Sequence, residues 1–309
     1  MLSTVRDQIF DATPFWFWMR DKGQIQSTIG GRFLTEPLQF AKLENIKWIG
    51  KGGTTSLNDN EFLTIAQYQW RYLVGSIVRF LVDDQQNRGN RQIIDFMTAK
   101  LSNLQNGLAD ELEQALFGAA GSSRPGDQPG IDGLQLLVAD DPTAAVTLGE
   151  IDPSTNTWWR NQFKDMSSSS FTSNGVKEMR TMLNDCSQNL SMDMPDIIVS
   201  DQNTYELYEE TIFANHFRTQ NNKLAEAGFA NQTFKGLPMI WSPQATQRMY
   251  FLNTNFIKFK YDPMLFFDMT EWKPIPDQPG DRAAQVVLAA SFTMARRRTH
   301  GVIFDIDTD

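Results

Sequence analysis

Two hydrophobic periods divide this chain into elements. Between residues 83 and 118, apolar side chains fall at Ile93, Ile94, Met97, Leu101, Leu104, Leu108, Leu112, Ala115 and Leu116. Steps of three and four belong to a helix rather than a strand. Asp83, Asp84, Asn87 and Asn90 offer N-caps, and Gly118 supplies a stop. At 1.5 Å per residue, Ile93 to Leu116 would span about 35 Å, long for a globular helix. Gly107 lies inside it as a place for a bend.

Upstream, from Arg32 to Val82, the period becomes that of strands. Leu34, Leu38, Phe40 and Leu43 are followed by Ile46, Trp48 and Ile49, then by Gly50-Lys51-Gly52-Gly53-Thr54-Thr55. Leu57 and Asn58-Asp59-Asn60 follow, after which Phe62, Tyr68, Trp70, Tyr72 and Val74 resume, alternating from Tyr68 onward. The pattern predicts two long antiparallel strands joined by a glycine-rich tip. A lone two-stranded ribbon is marginal in water, so this hairpin packs on its own domain or is covered by another chain. Residues 1–31 read as an arm, with a short helical pattern (Leu2, Val5, Ile9, Phe10), then Pro14 and the run Phe15-Trp16-Phe17-Trp18. Four adjacent aromatics either pack under the arm in their own subunit or form an exposed patch awaiting a partner.

Downstream, Ala119 to Gly130 is a loop by composition. Val176, Met179, Met182, Leu183 and Cys186 have helical spacing, and Asp201 to Asn215 forms a second helix with Tyr205, Tyr208 and Ile212 on one face. Strands are expected at 195–200, 234–241, 248–252, 256–261, 265–269, 284–294 and 302–306. Strands and helices mix without regular βαβ alternation, which is an α+β architecture.

The 309 residues include 41% hydrophobic and 21% charged positions, an ordinary globular balance. A single cysteine excludes an intrachain disulfide and fits a reducing compartment. No apolar run approaches the roughly 18 residues of a membrane span. The formal net charge of -9 lacks the basic excess of sequence-specific nucleic-acid binders. Catalytic signatures are absent: Cys186, His216 and His300 sit in no nucleophile or metalloprotease motif, and no Cys/His cluster suggests a metal. Asp83-Asp84 and Asp140-Asp141 read as caps and loop charges. Arg296-Arg297-Arg298, the one basic run, reads as a solvated strand edge, with phosphate contact as the alternative. No catalytic residue, cofactor or metal site is therefore expected.

The order of these features resembles the major capsid proteins of tailed bacteriophages, with the Hong Kong 97-type fold. Three local stretches add to the likeness. The first is Gly130-Ile131-Asp132-Gly133-Leu134 with Gly149-Glu150-Ile151-Asp152 and Trp158-Trp159-Arg160. The second is Pro195 to Ser200 with Tyr205 and Tyr208. The third is Phe234 to Ile240 with Tyr250-Phe251-Leu252-Asn253. The resemblance implies an N-terminal arm (1–31), an extended loop (32–75) and a peripheral domain with a spine helix (76–125). An axial domain (126–265) and a C-terminal return to the peripheral domain (266–309) follow. It implies self-assembly into hexamers and pentamers of an icosahedral head. The implied partners are a scaffolding protein, a portal, a cement protein and non-specifically packaged DNA, with no membrane. It places the protein in the virion after synthesis in the bacterial cytoplasm. The expected inter-subunit contacts are Trp48, Ile49, Lys51 and Leu57 in the loop and Phe15, Trp16, Phe17 and Trp18 in the arm. About 30 residues precede the loop, so a long cleavable scaffolding segment is expected to be absent. Lys51 sits at the tip where some members cross-link, but no acceptor is identifiable and that chemistry is not carried over. The alternatives are an encapsulin-like shell around protein cargo and a soluble hydrolase using Cys186 or an acidic pair.

Overall fold

The computed structural model describes residues 13–42, 45–54, 61–86, 96–118, 130–144, 146–187, 193–213, 232–278 and 280–306. Two sheets organise it. The first has five strands. Strand β1 (Ile25–Ser27) runs parallel to one end of the long strand β10 (Ile257–Met269). Strand β12 (Arg282–Met294) lies antiparallel to β10 and to the short β11 (Lys273–Pro274) on one edge, and to β4 (Arg71–Arg79) on the other. A separate ribbon pairs β2 (Leu34–Gln39) with β3 (Leu63–Tyr68).

The second sheet has the order β5 (Gln162–Asp165), β13 (Gly301–Phe304), β9 (Met249–Leu252), β6 (Ile197–Ser200), β8 (Leu237–Trp241), β7 (Gln232–Phe234). Its central strands are buried on both faces, and so their sequences are continuous apolar runs. Successive residues nonetheless go to opposite sides. Ile198, Met239, Met249, Phe251 and Ile303 join a cluster with the helices Phe171–Cys186 and Gln202–Phe213. Ile197, Val199, Ile240, Tyr250, Leu252 and Val302 join the larger core shared with the first sheet. Lys235 and Gly236, both at positive φ, make the tight turn between β7 and β8.

The helices are named α1 (Pro14–Asp21), α2 (Leu81–Gln86), α3 (Phe96–Phe117), α4 (Leu134–Leu137), α5 (Phe171–Cys186) and α6 (Gln202–Phe213). In α3 the buried residues Leu108, Leu112 and Leu116 recur every four positions, which is the apolar stripe expected of it. It lies on β4, where a Cβ on Gly75 would come within 2.5 Å of Leu104 Cδ1. The turn into α4 is equally tight. A Cβ on Gly133 would meet the carbonyl oxygens of Gly118 at 2.3 Å and Ala115 at 2.4 Å.

Several expectations are corrected. Asp83 and Asp84 lie inside α2, and the described part of the long helix begins at Phe96. The alternation from Tyr68 to Val74 is not one strand. The ribbon ends at Tyr68, and β4 starts at Arg71 in a different sheet. Residues 256–261 and 265–269 form one strand, β10, whose register shifts between Tyr261 and Asp268 absorb Pro263. Residue 265 lies inside β10, and β13 belongs to the six-stranded sheet. Arg297 is not on a solvated edge. It sits in a 3-10 turn, buried, and donates to the carbonyls of Leu137 at 2.9 Å, Leu136 at 2.9 Å and Trp159 at 3.4 Å. Leu57, His216, Asn87 and Asn90 lie outside the described residues.

Candidate inter-subunit surface

The ribbon β2–β3 is anchored at its root and bare at its tip. Along β2, Leu34, Glu36 and Leu38 face inward and their neighbours face solvent. Pro37 lacks an N–H, and β2 pairs on one side only, so the ribbon tolerates it. Glu36 is 3% exposed. Its carboxylate lies 2.6 Å from Lys260 Nζ and 3.4 Å from Lys258 Nζ, and accepts a hydrogen bond from Thr293 Oγ1 at 3.0 Å. Burial alone would raise its pKa. The bond and charge of Lys260, with Lys258 and Thr293, outweigh that and hold it below the ordinary carboxylate value. The clamp thus fixes the ribbon to β10 and β12. Sequence reading missed Glu36, although its place between Leu34 and Leu38 at a spacing of two marks an inward position.

Beyond the root, residues 45–54 carry no strand. Gly53 N–H donates to the carbonyl of Gly50 at 3.0 Å, closing a turn around the exposed Lys51. Trp48 is 103% exposed, no more shielded than in an extended peptide, and Ile46 and Ile49 are exposed beside it. Leu63 and Ile65 on the outer face of β3, and Tyr72 and Val74 on β4, are also exposed. Among the described residues none shields the Trp48 ring, and the other side chains keep about half or more of their surface bare, which is unusual for so many large apolar groups.

The aromatic run of the arm behaves differently. Phe15, Trp16 and Trp18 are buried in their own subunit, and Phe17 is half-buried against the same core. The Trp16 ring stacks on Phe292 at 5.6 Å and meets Phe259 edge-on at 5.0 Å. Pro14 starts a helix, and the helical turn carries three of the four rings into the core, with Trp16 on β10 and β12. These three rings are therefore core residues of their own subunit.

The described residues weighed for chemistry have structural surroundings. Burial raises the Cys186 thiol well above its usual range, which disfavours the reactive thiolate. Asp140 takes a forked ion pair from Arg248, with Nη2 to Oδ2 at 2.8 Å. Asp141 Oδ1 accepts from the Thr143 N–H at 2.9 Å. His300 is fully buried, with Nδ1 accepting from the Asn253 N–H at 3.1 Å. Burial, with Arg297 nearby, lowers its pKa to about 3. Among the described residues no three His, Cys, Asp or Glu side chains are placed to hold a metal, and no helix is long and apolar enough to cross a membrane.

No family model and no curated protein matches the chain. Solved structures do. A chain of the cyanophage A-1(L) capsid asymmetric unit superposes with a TM-score of 0.67 at 15% identity, covering 92% of this chain and 90% of that one. The chain has the Hong Kong 97-type capsid fold. A chain of the holo-SrpI encapsulin complex from Synechococcus elongatus PCC 7942 shares it, with a TM-score of 0.60 at 12% identity over 96% and 89% of the two chains. So does the capsid of a native GTA particle, with a TM-score of 0.60 at 9% identity over 94% and 90%. In this chain the Hong Kong 97-type fold carries bare apolar side chains on the ribbon, on the tip and on β4, and others at Ile29, Leu81, Val82 and Met264.

Proposed function

We propose that this chain is the major capsid protein of a tailed bacteriophage, self-assembling into hexamers and pentamers of an icosahedral head around double-stranded DNA. The end-to-end likeness to a phage capsid subunit carries this reading, and the clamped ribbon with an uncovered tip supplies the physical counterpart. A shell subunit works through surfaces, and Trp48, Ile49 and Lys51 are exposed where a neighbour can cover them. Burying Trp48 with Ile46 and Ile49 would release about 5 kcal/mol of gross transfer energy per contact. Much of that is offset by ordering the tip. The net charge of -9 suits a wall around packaged DNA, because a basic wall would bind phosphates and release counterions, hindering ejection. On this reading the six-stranded sheet with α5 and α6 is the axial domain, and the five-stranded sheet with α3 is the peripheral one. Scaffolding, portal and cement proteins are its partners, and host cytoplasm is where it is made.

The second reading is an encapsulin-like shell holding protein cargo. It is favoured by the encapsulin match and by the likeness to a virus-like particle from Pyrococcus furiosus, with a TM-score of 0.52 over 97% of this chain. Electron microscopy of the purified chain tests both, with closed shells as the expected outcome. Nuclease-protected DNA inside native particles supports the phage reading, and protein cargo supports the other. A soluble monomer at all concentrations would overturn both.

A further inference from the structure

Arg297 is a buried guanidinium with no carboxylate partner among the described residues. Its Nε donates to the carbonyl of Leu137, its Nη2 to that of Leu136 and its Nη1 to that of Trp159. A guanidinium carries five N–H donors, so these three bonds leave one N–H on each terminal nitrogen. Leu136 and Leu137 end α4, and their carbonyl dipoles offset only part of the charge. Burial lowers the pKa to about 10, so the group stays charged at neutral pH. A buried charge is ordinarily matched by an opposite one. A cleft of about 500 Å³ opens against this residue, where the ends of β2 and β12 meet the 157–159 turn. The stacked rings of Phe40 and Trp158, 5.3 Å apart at their centroids, form its apolar wall. Lys42 is exposed at its rim. No carboxylate lines it, in a chain whose formal net charge is -9. Arg296 is ion-paired with Asp193 and Arg298 has a partner of its own, so the missing counter-charge is that of Arg297. A smaller cleft of about 250 Å³ also borders Arg297, but Asp141 lines it and disfavours an anion there.

We propose that the larger cleft is a small-molecule phosphate site, in which Arg297 and Lys42 hold the phosphate group. Two spare N–H groups on neighbouring nitrogens suit two oxygens of one anion, and the Lys42 ammonium adds a second charge from the open side. The volume fits a small ligand rather than a bare ion, and the rings of Phe40 and Trp158 give a planar group a face to lie on. The phosphate can therefore be free or carried by a mononucleotide; the chemistry at Arg297 is the same. The seat lies within one subunit and needs no neighbouring copy, so it stands whether or not the chain builds shells.

The test is isothermal titration calorimetry of the dispersed full-length subunit with inorganic phosphate, adenosine monophosphate and adenosine, at constant ionic strength in chloride. Inorganic phosphate and the monophosphate are expected to bind saturably at one site per chain, and adenosine much more weakly. Lys42→Gln should weaken both phosphate ligands about tenfold, the loss of one charge-assisted contact. Arg297→Lys keeps the charge but removes the paired donors, and should abolish binding in chain that is folded by circular dichroism. Where that variant does not fold, Lys42→Gln carries the test alone. Tighter binding of the monophosphate than of inorganic phosphate, with the difference lost in Phe40→Ala, supports the site and assigns a nucleotide to it. Equal affinity supports the site and assigns free phosphate. No saturable binding of either, binding that Lys42→Gln leaves unchanged, or adenosine binding as tightly as its monophosphate overturns the proposal.

Discussion

Glu36 ties the root of the ribbon to the sheet beneath it, and its removal strands two ammonium groups. Glu36→Ala is expected to cost about 3 kcal/mol in a denaturant titration, because Lys260 stays largely buried without its partner. Amide exchange should quicken along residues 34–39. Gly133→Ala belongs to the same scale. The added methyl lands on backbone carbonyls, which cannot turn aside like a side chain, so a loss of about 2–3 kcal/mol is expected in the same titration. His300 sets a pH dependence. Unfolded, the imidazole protonates as pH falls through about 6.5; folded, it stays neutral until about 3. Its contribution is whole above the upper value and declines by about 1.4 kcal/mol per pH unit between the two. Glu36, held below the ordinary carboxylate value, adds its loss only in more acid solution. Melting curves between pH 7.5 and 4 should show the decline, and His300→Gln should flatten its upper part.

At the scale of elements, the tip is proposed to act in assembly and not in folding. Trp48→Ala with Ile49→Ala should leave the monomer's melting temperature unchanged, since neither side chain is buried in its own subunit, yet reduce shells in sedimentation. Replacing residues 45–58 by a short turn should give folded chain by circular dichroism and no normal particles. Normal particles from either variant would count against the tip as a contact. The exposed tip and α3 were legible in sequence because glycine clustering and a four-residue apolar step are local signals. The break at residues 69–70 was not. Alternation tells which face a side chain takes, not which strand it pairs with, and the chain changes sheets without losing its period. The aromatic run was ambiguous for a related reason: four adjacent rings point everywhere until a helix at Pro14 sorts them. The burial of Arg297 was invisible because residues 136–137, 159 and 297 meet only in three dimensions.

At the scale of the molecule, both sheets depend on late strands. β12 is the strand that joins β4 to β10, and β13 lies between β5 and β9. A chain ending at residue 281 is therefore expected to give no stable five-stranded sheet. One ending at 300 should keep that sheet and lose protection at residues 162–165 and 249–252. Limited proteolysis with mass spectrometry checks both. The consequence reaches into synthesis. While residues 1–281 are leaving the ribosome, neither sheet has the strand that closes it: β6 can pair with β8 and β9, but β4 cannot join β10 and β5 cannot join β9 until residues 282–304 arrive. On the proposed shell reading, a prematurely terminated chain would offer its neighbours no finished wall, and incomplete copies would be left out of a growing particle without any separate proofreading step.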